Sequence, residues 1–69
     1  MVKAMKLRDM ESALLAQGCR VLSDRGEHTK WGCPCKAHSA NIPRHRVISP
    51  GVVRDTIRRM ACLPEGWLQ

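Results

Sequence analysis

The chain contains no phenylalanine and no tyrosine, and only two tryptophans among its 69 residues. This absence constrains the fold more than any motif does. The core has to be assembled from Leu, Ile, Val, Met, Ala and Cys. A chain of this length forms a single domain, 1–69, and buries so little that every apolar residue counts. Its expected stability is about 5 kcal/mol or less unless a partner or a metal adds to it.

The apolar residues fall into a readable order. Between Met5 and Gln17, Leu7, Met10, Ala13 and Leu14 recur at helical spacing, with Arg8, Asp9, Glu11 and Ser12 on the other side. Gly18 follows, where a helix commonly stops because glycine enters the left-handed region without a Cβ penalty. Cys19 to Ser23 reads as a strand, with Val21 on one face and Arg20 and Leu22 on the other. Asp24-Arg25-Gly26-Glu27 reads as the turn of a hairpin, Gly26 supplying the positive φ. His28 to Cys33 is a second strand. Residues two apart share a face, so Thr29, Trp31 and Cys33 point one way and His28 and Lys30 the other.

Pro34 excludes a central strand from Cys33 to Ala37, which reads as a loop. A third strand, His38 to Ile42, is apolar at Ala40 and Ile42 and ends at Pro43. Arg44-His45-Arg46 is a basic connection. Ser49 as N-cap and Pro50 at the first helical position open a second helix. Its buried stripe is Val53, Ile57, Met60 and Ala61, and Asp55 can pair with Arg59 on the opposite side. Pro64 and Gly66 end regular structure, and Trp67 and Leu68 form a tail that folds back. The order is α-β-β-β-α: an α+β domain with a three-stranded antiparallel sheet and two helices on one face. The other face is left open and carries Arg20, His28, Lys30, Ser39 and Asn41.

Twelve basic residues against six acidic ones leave a net charge of +6. So strong a field favours nucleic acid, an acidic protein or an anionic membrane. The membrane is the weakest of these, since no apolar run approaches the roughly 18 residues of a span and no signal-peptide pattern opens the chain. Four cysteines without a secretory signal suggest reduced thiols in a cytoplasm rather than a disulfide frame.

An imidazole titrates near about 6.5, so His28 can both take and give a proton at neutral pH. RNA cleavage needs little else. A base removes the ribose 2′-OH proton, the oxygen attacks the adjacent phosphate, and positive groups stabilise the charge that gathers there. Lys30 is placed to supply that charge, and Arg25, Arg44, His45 and Arg46 to hold flanking phosphates. Arg54, Arg58 and Arg59 read as a solvated helix face that can extend a phosphate-binding surface. Aromatic residues are too few for base stacking, so recognition would rest on phosphates and shape. His38 shares the parity of Ala40 and Ile42 and reads as packed or loop-facing rather than catalytic.

The competing constellation is H-x4-C-x-C-x2-H, made by His28, Cys33, Cys35 and His38. Zinc takes four N/S ligands, but structural sites usually use C-x2-C pairs, and a C-x-C across Pro34 suits a shared metal less well. The sequence reading therefore assigns no metal and no cofactor, with Cys19 and Cys62 serving as small apolar residues.

The G-E-H hairpin, followed by I-P-R-H-R-V-I-S-P-G-V-V-R-D-T-I-R-R-M after an amphipathic opening helix, resembles the HicA family of toxins. The resemblance covers roughly Met5 to Met60, a core of 5–60 with a tail of 61–69. It implies a fold similar to a double-stranded-RNA-binding domain. It also implies an endoribonuclease that cleaves mRNA, the toxin of a bacterial toxin–antitoxin pair, silenced by a HicB-like antitoxin. The family's functional histidine follows the hairpin glycine and maps onto His28. Glu27 stands where the family has a small residue, often serine, and the C-P-C loop and the C-L-P-E-G-W-L-Q tail lie outside the family pattern. Two further readings are a non-catalytic nucleic-acid-binding module of the same shape and a small zinc-binding interaction domain.

Overall fold

The computed structural model describes residues 2–69. Its elements are β1 (Met5–Lys6), α1 (Leu7–Ala16), β2 (Arg20–Arg25), β3 (His28–Gly32), β4 (Ser39–Pro43), β5 (Val47–Ile48) and α2 (Pro50–Arg59). Strands β2, β3 and β4 form an antiparallel sheet in that order, so the α-β-β-β-α layout holds. Met10 and Leu14 from α1, Trp31, Ala40 and Ile42 from one sheet face, Val53 from α2 and Met60 just past its end meet in a single core.

The N-terminal end of α1 differs from the periodicity reading. Met5 and Lys6 are not helical; they pair antiparallel with Ile48 and Val47 as a short ribbon, and Leu7 N–H donates to the Arg46 carbonyl at 2.9 Å. Backbone partners from a distant segment take over donors that would otherwise begin the helix, which is how tertiary context overrides propensity. At the other end Gln17 is the cap, and Gly18 turns the chain at φ +84°.

β2 runs through Arg25, so the turn is shorter than the sequence suggests: only Gly26 and Glu27 lie between Arg25 and His28, which pair directly. Gly26 has φ +61° and Glu27 is not in the positive region, the pattern of a type II′ turn that matches strand twist. The register of β2 shifts between Val21 and Ser23, leaving Leu22 as an extra, unpaired residue, a β-bulge.

α2 starts as expected at Ser49 and Pro50, although the serine side chain makes no capping hydrogen bond. Its buried face is Val53, Thr56 and Met60, with Ile57 half-buried and Ala61 exposed. Thr56 takes the place in the stripe that Ala61 was expected to fill. Its hydroxyl donates to the Val52 carbonyl at 2.9 Å, which lets a polar side chain sit in the core. The tail folds back: Leu68 is buried, and the Gln69 side chain accepts from Lys3 N–H at 2.8 Å and donates to the Lys3 carbonyl.

Candidate functional site

Alternation along β3 buries Trp31 and exposes His28 and Lys30 on the other side. Cross-strand pairing then decides what stands beside them. His28 faces Arg25 on β2 and Pro43 on β4; Lys30 faces Ser23 and Asn41. Ser23, Arg25, His28, Lys30 and Asn41 line a shallow depression of about 330 Å³ on the face that no helix covers. Within it, two cations flank an accessible imidazole, and a hydroxyl and an amide offer neutral hydrogen bonds. A phosphodiester could lie across such a surface without displacing any side chain from a core position. Arg20 extends the same face opposite Gly32, and Ser39 lies beyond Gly32 on β4.

The remaining basic residues are distributed differently from the sequence reading. Arg44 forms a salt bridge with Asp24, and its Nε donates to Thr29 Oγ1 at 3.4 Å. Thr29 Oγ1 in turn donates to Asp24 Oδ1 at 3.2 Å. Asp24 and Thr29 have the opposite parity from Arg25 and His28, so Arg44 is engaged on the other side of the hairpin. Its backbone N–H ties the turn down by donating to the Glu27 carbonyl at 2.9 Å. His45 and Arg46 are exposed, and Arg46 lines a separate depression with Lys6, Leu7, Arg8, Glu11 and Val47. Of the six residues expected at the site, the structure brings together His28, Lys30 and Arg25. Ser23 and Asn41 complete the group; Asn41 was legible from parity, whereas Ser23 depends on the bulge.

A second constellation lies at the far end of β3. Cys33 is buried, as expected, and Cys35 rides the loop. Cys62 is not a packed apolar residue: it is exposed and joined to Cys33 by a disulfide, against the expectation of four reduced thiols. The reason lies in the topology. Cys33 leaves β3 beside β4, α2 packs on β4, and Cys62 follows α2, so residues 29 apart in sequence converge. Cys35 Sγ lies 3.0 Å from Cys33 Sγ and 3.0 Å from His38 Nδ1. The imidazole contact, with the Ala37 N–H, holds the Cys35 thiol below its ordinary value. Cys19 is a buried free thiol, pushed up by desolvation first and then by the charge of Cys35.

No helix among the described residues is long and apolar enough to cross a membrane. No family model, curated protein or solved structure matches the chain. The likeness to the HicA toxins therefore rests on the motifs quoted above.

Proposed function

We propose that the chain is an endoribonuclease that cleaves mRNA, acting as the toxin of a toxin–antitoxin pair. The observation that supports this most is the accessible His28 imidazole between Arg25 and Lys30 on an uncovered sheet face. In this reading His28 takes the proton from a ribose 2′-OH, and the oxygen attacks the neighbouring phosphate. Lys30 stabilises the negative charge that accumulates on the phosphoryl oxygens, and Arg25 holds a flanking phosphate. The imidazolium then returns its proton to the departing 5′-oxygen. A cut made this way leaves a 2′,3′-cyclic phosphate and a 5′-hydroxyl. Since the catalytic surface is open and basic, the silencing partner would be a HicB-like antitoxin presenting an acidic or apolar surface that covers it.

The test is His28→Ala with RNA cleavage, RNA affinity and thermal melting measured side by side. Losing a general base costs about 10²–10⁴-fold in cleavage rate. The affinity and the melting temperature are expected to stay near those of the parent, because His28 is exposed and holds no core contact. A small loss of affinity, with no cleavage by the parent chain, would instead identify a non-catalytic nucleic-acid-binding module.

A further inference from the structure

We propose that, in the reduced protein, Cys33, Cys35, His38 and Cys62 form a Cys3His site for one Zn2+ ion. Their four ligand atoms all lie within 4.8 Å of one another. With Zn–S bonds of about 2.3 Å, tetrahedral geometry puts sulfur atoms about 3.8 Å apart, so small side-chain adjustments complete the site. Three soft thiolates and an imidazole at tetrahedral corners select zinc over hard, oxygen-seeking cations.

The loop is built to present these ligands. Lys36 N–H donates to the Cys33 carbonyl at 2.9 Å and closes a tight turn around Pro34. Cys33 N–H donates to the His38 carbonyl at 2.9 Å and shuts the base of the loop. Ala37 N–H points at Cys35 Sγ, 3.4 Å away, the kind of contact that favours a thiolate. Lys36 holds φ +67°, the one non-glycine residue in the left-handed region among those described. Such a conformation is unfavourable for a residue with a Cβ and persists where the surroundings require it, commonly at ligand sites. This turn is what makes a C-x-C spacing workable. His28, the fourth ligand of the array read from sequence, sits at the opposite end of β3; Cys62 takes that place from beyond α2.

The disulfide and the metal site are alternative states of the same atoms. The Cα atoms of Cys33 and Cys62 are 7.5 Å apart. Disulfides usually span about 4.4–6.8 Å, whereas two thiolates on one ion tolerate the wider separation. Opening the S–S bond takes two electrons and two protons. Two molecules of a small thiol supply both and are joined as their own disulfide. Zn2+ then binds as the three cysteine thiols give up their protons, with His38 neutral. Four protein ligands leave no open position, so the ion has a structural role. It staples the β3–β4 loop to the segment after α2 in a domain with a small core.

The experiment is elemental analysis of the full chain purified with a thiol reductant and no chelator, followed by Co2+ titration monitored by visible absorption. The expected result is one zinc per chain and, on cobalt substitution, thiolate-to-cobalt charge-transfer bands with tetrahedral d–d bands. Cys35→Ser is the decisive variant: Cys35 is exposed and outside the disulfide, so the fold does not depend on its thiol. Losing a ligand should weaken Co2+ binding more than about a hundredfold, beyond what loss of a supporting contact does. His28→Ala should leave binding unchanged. The proposal is overturned if the reduced chain carries no zinc and gives no cobalt bands. It is equally overturned if Cys35→Ser binds as tightly as the parent, or if the Cys33–Cys62 disulfide persists under reductant.

Discussion

Arg25 and His28 are directly opposed across the β2–β3 hairpin, with only Gly26 and Glu27 between them. The guanidinium therefore stands on the same face as the imidazole, at the tip of the sheet rather than in a floppy turn. If this face tracks an RNA backbone, Arg25→Ala should weaken binding and reduce the slope of log affinity against log salt by roughly 0.7, the value for one phosphate contact on a single strand. Lys30→Ala should instead lower the rate of cleavage of bound RNA. An unchanged salt slope in Arg25→Ala would place the backbone elsewhere.

Gly26 is the hinge of that arrangement. At φ +61° an alanine meets no neighbouring atom within 4 Å, so its cost is conformational and not steric crowding by the rest of the fold. Gly26→Ala should lose about 1–2 kcal/mol of stability in urea unfolding, the penalty of a left-handed L-residue. Cleavage should fall further than stability alone explains, because the turn sets Arg25 against His28.

Arg44 is a contrasting case. Its salt bridge to Asp24 is half exposed on both sides, and such pairs contribute about 0–1 kcal/mol. Arg44→Ala should change RNA affinity less than Arg25→Ala does, although both remove one positive charge. Equal losses would mean that RNA contacts both sides of the hairpin.

The core offers a stability comparison. Ile42 is fully buried between the sheet and the helices, and Ile42→Ala should cost about 2–5 kcal/mol. In a chain whose total is of that order, the variant should be largely unfolded in thermal melts near 37 °C. Thr56→Val keeps the volume and removes a donor whose acceptor, the Val52 carbonyl, already serves the helix. It should shift stability by less than about 1 kcal/mol.

The residues that were legible are those governed by local rules. Period-2 alternation located His28 and Lys30 opposite Trp31, and Ser49-Pro50 marked the start of α2. What was not legible depends on distant partners. Met5 and Lys6 follow helical spacing, yet the Val47–Ile48 backbone claims them. Arg44 carries the charge of a phosphate ligand, but Asp24, twenty positions earlier, engages it. Cys62 has no neighbouring cysteine in sequence; only the docking of α2 on β4 carries it to Cys33, Cys35 and His38. The C-x-C spacing departs from the usual C-x2-C pair, and the left-handed turn at Lys36 that folds it is not encoded by a glycine.

The unpaired Leu22 has an electrostatic consequence. Val21 sits opposite Trp31, and an uninterrupted ladder from there would set Leu22 against Lys30, Ser23 against Thr29 and Asp24 against His28. One residue of slack advances the strand by a step, so a guanidinium replaces a carboxylate beside the imidazole. Drawing Leu22 into the ladder opposite Lys30 would thus exchange the sign of the charge met by an incoming anion, with no ionisable residue added to or removed from the chain.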